Sequence, residues 1–120
     1  MIITSEKLKQ SILVILGDKE MLKILDASML HAISMNDIIR ETGIAHTTAY
    51  RKVKWLLDQG VLAVEKIIIT EDGKKFSLVR STLRTFNVKY ELGNMVVEGE
   101  KNFNPVERTA QDFFSLGESS

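Results

Sequence analysis

Apolar positions at helical spacing predict two helices near the start of the chain. The first covers residues 5–16 and has Ser5 as its N-cap. Its apolar positions are Leu8, Ile12, Ile15 and Leu16. Gly17 is a helix stop signal, and Asp18 is the N-cap of the second helix. The apolar face of that helix holds Met21, Leu22 and Leu25. The pattern leaves open whether the two helices are separate or continuous around Gly17.

Two more helices follow, separated by a tight turn. Residues 34–42 predict a short helix with Ser34 as its cap, and Gly43 is its stop signal. A longer helix covers residues 46–58 and ends before Gly60. Its apolar positions follow the i, i+4, i+7, i+8 pattern of an amphipathic helix, and they are Ala49, Val53, Leu56 and Leu57.

After Gly60 the pattern changes from helical to extended. Residues 61–70 are rich in β-branched side chains, which favour a strand. Residues 71–74 have the composition of a charged turn, and residues 75–80 favour a second strand. This part of the sequence therefore predicts a β-hairpin.

A second hairpin and a short helix are predicted further along the chain. Alternating apolar residues over residues 83–92 predict a third strand, and a Gly93-Asn94 turn leads to a fourth over residues 95–98. An N-cap residue followed by a first-turn proline predicts a short helix over residues 105–116. We expect the tail, residues 117–120, to be disordered.

The order of these elements predicts an α+β fold, because a short helix, a tight turn, a longer helix and a hairpin form a winged helix-turn-helix. An extra N-terminal helix, an added C-terminal β-hairpin and a short C-terminal helix surround it. Residues 1–17 would be a helix available for dimerisation, and residues 18–81 the DNA-binding domain. Residues 82–116 would be the hairpin and helix extension, followed by the tail.

The stretch GIAHTTAYRKVKWLLDQGVL, residues 43–62, resembles the recognition-helix segment of ArsR-like and related prokaryotic winged-helix regulators. The charged turn at Asp72-Gly73 is similar to their wing, and the strand pair over residues 83–98 is similar to an appendage of small archaeal-type regulators. The resemblance covers residues 18–80. It implies a transcriptional regulator whose recognition helix lies in the major groove of double-stranded DNA, with the wing beside it.

The exposed side of this recognition helix supplies the candidate DNA-binding residues. Arg51 is the best candidate for a base contact, because a guanidinium pairs bidentately with guanine. Thr47 and Thr48 fit contacts to phosphate or to a thymine methyl, and Lys52 and Lys54 fit phosphate contacts. The full candidate set is His46, Thr47, Thr48, Tyr50, Arg51, Lys52 and Lys54 on the helix, with Lys74 and Lys75 at the wing tip.

These assignments have structural alternatives. The basic residues of the helix also fit a solvated face, Tyr50 also fits a partly buried aromatic residue, and the two wing lysines also fit a wing kept soluble by charge. Ala45 departs from the family pattern, in which a Ser caps the recognition helix. Either His46 or Thr47 takes over the cap, or the helix start is less firmly fixed.

Charge is distributed unevenly along the chain, although the formal net charge is zero. Residues 1–90 hold 14 Lys and Arg against 10 Asp and Glu, whereas residues 91–120 hold 2 against 6. The basic part contains the predicted recognition helix. Because the local field depends on where the cations lie, the zero total does not argue against a nucleic-acid partner.

The chain has no cysteine and only two histidines, His31 and His46, which lie in different predicted elements. Disulfides and thiolate ligands are therefore excluded, and no Gly-rich phosphate loop, metal cluster or nucleophile–base pair is recognisable. We expect no catalytic residues, no metal and no cofactor.

No apolar run approaches the roughly 20 residues of a membrane span, and no secretion signal is recognisable at the start. We expect a cytoplasmic protein without a membrane partner.

Apolar residues in the first helix and at Phe113-Phe114 exceed what a compact winged-helix core needs. They either pair across a two-fold axis or close the core of one subunit, and a homodimer is favoured because it matches palindromic half-sites. The alternative function is a winged-helix protein–protein interaction module in a transcription-related assembly, which the acidic last quarter also fits. The sequence does not specify an operator, a small-molecule effector, or repression as opposed to activation.

Overall fold

Within residues 1–102, four helices precede two antiparallel β-hairpins, which is an α+β fold. The computed structural model describes residues 1–102. The helix expected over residues 105–116, with Phe113 and Phe114, and the tail at residues 117–120 lie outside the described residues. The elements are α1 (Glu6–Leu16), α2 (Lys19–Ala27), α3 (Met35–Thr42), α4 (His46–Asp58), β1 (Leu62–Ile69), β2 (Lys75–Ser81), β3 (Leu83–Glu91) and β4 (Asn94–Lys101).

Side-chain caps fix the starts of the first three helices. Ser5 Oγ accepts the Leu8 N–H at 3.2 Å, and Ser34 Oγ accepts the Asp37 N–H at 3.2 Å. Asp18 has an extended backbone and caps α2, so α1 and α2 are separate helices. Each cap satisfies one of the N–H groups that the first turn of a helix leaves without a partner.

The turn between α3 and α4 depends on Gly43. This residue has a φ of 71° and its N–H donates to the Ile39 carbonyl, which ends α3 in a left-handed conformation. Glycine adopts that conformation without the steric cost of a side chain. The chain can therefore begin α4 only three residues later, at His46.

Each hairpin also forms an isolated β-bridge with a residue from elsewhere in the chain. Ile33, between α2 and α3, pairs with Val79 of β2, and Ile2 pairs with Glu98 of β4. The first hairpin is therefore extended beside β2 and the second beside β4. Both backbone hydrogen bonds between Ile33 and Val79 are 2.9 Å long.

The second hairpin differs in detail from the sequence-based expectation. β4 extends to Lys101 because it pairs along the whole length of β3, whereas the expected strand covered residues 95–98. The two loop residues are Leu92 and Gly93, both with positive φ, and not Gly93 and Asn94. Positive φ at both central positions is what a type I′ hairpin turn requires, so Leu92 belongs to the turn and not to the strand.

The buried apolar residues form two clusters joined by α1. Ile15 belongs to the larger cluster, which packs α2, α3, α4 and the first hairpin together. Ile12 belongs to the smaller cluster with Ile3, Leu83 and Val97, under the second hairpin. Both isoleucines are fully buried, and burial of such a side chain stabilises the fold by about 1.5–3 kcal/mol. This face of α1 therefore closes the core of the single chain.

Candidate nucleic-acid interface

The helix α4 has a buried stripe and an exposed face. Its buried residues are Ala49, Val53 and Leu56. Thr47, Arg51 and Lys54 are exposed and follow one another at i, i+4 and i+7, which aligns them on the opposite side. The α4 helix is about 20 Å long, at 1.5 Å per residue. Its exposed face is therefore a narrow polar ridge with two cations, followed by Asp58 in the last turn.

Two aromatic residues of α4, His46 and Tyr50, occupy the side next to this ridge. The rings of His46 and Tyr50 lie 4.8 Å apart, centroid to centroid, with an interplanar angle of 38°. Tyr50 is 50% exposed, which is compatible both with a contact to DNA and with a partly buried aromatic residue. His46 is also exposed. Thr48 is half-buried and is set back from the ridge.

The start of α4 has no side-chain cap. Ala45 has an extended backbone, with φ −56° and ψ 139°, and no side chain accepts a hydrogen bond at this helix start. Neither His46 nor Thr47 replaces the missing cap. The helix begins with the Ala49 N–H donating to the Ala45 carbonyl at 2.8 Å. The first-turn N–H groups therefore depend on solvent or on a bound partner.

Lys52 is turned away from the exposed face. Its Nζ lies 2.6 Å from Asp18 Oδ2 and 3.1 Å from Glu20 Oε1, and its side chain is only 11% exposed. The structure therefore does not bring Lys52 together with Arg51 and Lys54, although the sequence favoured a phosphate contact for it. Its contacts hold α4 against the start of α2.

The ion pair changes the pKa of both partners. The hydrogen bond to Asp18 raises the pKa of the Lys52 amine above 10.5; burial lowers it and Glu20 raises it further. Burial alone would raise the pKa of Asp18. Hydrogen bonds from Lys52 and from the Met21 N–H outweigh that effect, so the pKa of Asp18 is lowered below 3.8. Both groups are therefore held in their charged forms.

The turn of the first hairpin carries Lys74 and Lys75, which are both exposed. The Thr70 hydroxyl donates to Asp72 and lowers the pKa of its carboxyl group. Lys74 Nζ lies 4.0 Å from Asp72 Oδ2, so part of its charge is balanced within the turn. Lys75 has no ion-pair partner among the residues that the structure describes. Of the two lysines, Lys75 is therefore the one whose charge is less balanced by a neighbouring carboxylate.

A cleft that the sequence did not indicate lies beside α4. We call it the α3–α4–β2 cleft; its volume is about 620 Å³. Its lining includes Met35, Tyr50, Val53, Lys54, Leu57 and Phe76. Phe76 is 42% exposed although it belongs to a strand. The helical spacing of Tyr50 and Lys54 was visible in the sequence, but the approach of β2 was not, because it depends on tertiary packing.

Within residues 1–102, no group of three or more His, Cys, Asp or Glu side chains is placed to hold a metal ion. No helix in this part of the chain combines the length and apolar character that a membrane crossing requires. Comparison with protein-family models gives no match, and comparison with curated proteins gives no significant relative.

Proposed function

We propose that this chain is a sequence-specific, DNA-binding transcriptional regulator with a winged helix-turn-helix. The observation that carries the proposal is the ridge of Thr47, Arg51 and Lys54 on the second helix of a helix–turn–helix pair. An α-helix fits into the major groove of DNA, which is about 12 Å wide. The buried stripe on the opposite side holds that helix on the rest of the domain.

The chain topology supports the winged-helix assignment. In sequence order, α2 is followed by the bridge residue Ile33, by α3 and α4, and then by the β1–β2 hairpin. Ile33 forms an isolated bridge with β2, the second strand of the two-stranded β1–β2 hairpin, on the side away from β1. This arrangement fixes the hairpin beside α4, where a wing would flank the DNA.

The residues of the interface would divide into two classes. Arg51 would read a base edge, and Thr47 would contact phosphate or a thymine methyl. Lys54, and Lys75 on the wing, would contact phosphates and add affinity without sequence information. His46, Tyr50, Thr48 and Lys74 are peripheral members of the set. Lys52 is left out, since its amine is held by Asp18 and Glu20.

The proposal includes a homodimer. Leu13, Val14 and Leu16 are exposed on α1, although Ile12 and Ile15 of the same helix close the core. A two-fold axis would place two α4 helices about one DNA turn apart, at 34–36 Å. Light scattering after size exclusion tests it, and a monomer at micromolar concentration would refute the dimer without affecting the DNA-binding proposal.

Selection of DNA by the purified full-length protein is the decisive experiment. We expect enrichment of one motif, and retention on the selected duplex that weakens steeply as salt rises. Heparin and duplex retention at low salt is the preliminary test. Lack of retention on both would overturn the proposal and favour the protein-interaction module, which the zero net charge and the acidic last quarter of the chain fit.

A further inference from the structure

We propose that the α3–α4–β2 cleft binds a small molecule with a flat apolar body and one anionic group, such as an aromatic carboxylate, and that this ligand competes with DNA. The competition with DNA rests on the proposed function, whereas binding of the ligand in the cleft does not.

The cleft has the size and lining of a small-molecule site. Its volume of about 620 Å³ lies within the range of roughly 300–1,000 Å³ that is typical of ligand pockets. Val53 and Val79 are buried and form an apolar floor. The exposed rings of Tyr50, on α4, and Phe76, on β2, also belong to the lining. A flat apolar body would cover surfaces that are otherwise exposed to water.

The charge of the cleft favours an anion. Its ionisable lining groups, apart from Tyr50, are Asp37, Arg40 and Lys54. Asp37 and Arg40 pair with one another. Lys54 has no ion-pair partner among residues 1–102, so its amine is the charge that the lining does not balance. A carboxylate on the ligand would form a charge-assisted hydrogen bond with it.

The position of the cleft couples the ligand to the recognition helix. Tyr50 and Lys54 lie one turn apart on α4, and Lys54 is the residue that we assign to a DNA phosphate. An anion on the Lys54 amine would remove one phosphate contact and place negative charge beside the groove. Because coupling between two sites is reciprocal, bound DNA would lower the affinity for the ligand by the same factor by which the ligand lowers the affinity for DNA.

The test uses the full-length protein and 8-anilinonaphthalene-1-sulfonate, a flat apolar anion that fluoresces on binding. 1-Naphthoate would serve as the competitor, and the neutral 1-naphthalenemethanol as its matched control. The cleft variants are Phe76→Ser and Lys54→Gln. Both residues are exposed, so loss of folding is not expected, and circular dichroism checks it. Tyr90→Ser and Lys89→Gln on the second hairpin are matched variants outside the cleft.

We expect each cleft variant to weaken probe binding about three- to tenfold, and the two hairpin variants to leave it unchanged. Naphthoate should displace the probe at lower concentration than the neutral alcohol. Equal binding by wild type and both cleft variants would overturn the site, and so would an equal loss in the hairpin variants. These titrations need no DNA, so they decide the site even if the chain binds no duplex.

A second measurement tests the competition. Fluorescence anisotropy of the selected duplex would be measured with and without saturating naphthoate, in wild type and in Phe76→Ser. We expect weaker duplex binding in wild type only. Unchanged duplex affinity in wild type would overturn the competition, as would an equal effect in the Phe76 variant.

Discussion

Lys52 Nζ lies 2.6 Å from Asp18 Oδ2, while the other oxygen of the same carboxylate accepts the Met21 N–H at 3.0 Å. One side chain therefore caps α2 and holds α4 at the same time. Glu20 adds a second acceptor at 3.1 Å. The orientation of the proposed recognition helix thus depends on a polar contact with the first turn of α2, in addition to its apolar stripe.

Replacement of Lys52 by Met should destabilise the fold without changing the salt dependence of DNA binding. We expect the free energy of unfolding to fall by about 1–3 kcal/mol near neutral pH, because a hydrogen-bonded and largely buried charge pair is lost. The salt dependence of DNA binding should not change, since Lys52 does not lie on the exposed face. Urea denaturation and duplex anisotropy measure the two effects.

The same variant has a defined pH dependence. Because the pKa of Asp18 is lowered in the folded state, its contribution to the free energy of unfolding is present above pH 3.8. That contribution is lost as the pH falls through the folded-state pKa. The raised pKa of Lys52 means that its contribution is present below 10.5 and is lost as pH rises further. The stability difference should therefore disappear at both extremes. Lys19→Met, an exposed lysine of α2, is the control; an equal effect in both variants would contradict the structural role.

The sequence predicted the helix starts well because caps are local. Ser5, Asp18 and Ser34 each lie immediately before an amphipathic run, and each accepts an N–H three residues ahead. Local sequence patterns could not distinguish the roles of Lys52 and Lys54. Both are basic residues near the polar side of α4, and only the packing of α2 decides which one is paired.

Arg51→Ala should weaken binding to the selected duplex by about 1–3 kcal/mol and relax the preference at one base position. The reason is that a bidentate guanidinium contact discriminates one base pair from the others. Competition anisotropy against single-base variants of the duplex measures both quantities. Arg84→Ala, an exposed arginine on the second hairpin, should have no effect. Equal affinity of wild type and the Arg51 variant for every duplex would refute base recognition by this residue.

Lys54→Ala should act differently from Arg51→Ala. We expect a uniform loss of affinity across sequences and a salt slope reduced by about one, because a phosphate contact releases one counterion. Binding isotherms over a salt series measure the slope, with Lys89→Ala as the matched control. A sequence-dependent loss with an unchanged slope would place Lys54 at a base edge.

Tertiary packing explains most of the structural features that the sequence did not predict. The pairing of Ile33 with Val79 joins residues that lie 46 positions apart, and β2 contacts α3 beside it, so residues of α3, α4 and β2 line one cleft. No local pattern contains that information, so the α3–α4–β2 cleft was not predicted. The length of β4 was missed for a related reason. Glu98, Glu100 and Lys101 give a weak strand signal, and they pair because β3 provides a full-length partner.

Ala45→Ser should stabilise the protein by adding the cap that α4 lacks. The extended backbone of Ala45 already resembles that of the three capped helix starts, so a serine hydroxyl would accept a first-turn N–H without strain. We expect the free energy of unfolding to rise by about 0.5–2 kcal/mol. Ser34→Ala, which removes the cap of α3, should lower it by a similar amount.

Both effects on stability would be measured by urea denaturation of the full-length protein. If Ala45→Ser has no effect while Ser34→Ala destabilises, the first turn of α4 gains nothing from a side-chain acceptor in the free protein. The DNA affinity of the same variant then becomes informative. A neutral cap that occupies an N–H otherwise available to a phosphate should weaken duplex binding, whereas a cap that only orders the helix start should strengthen it.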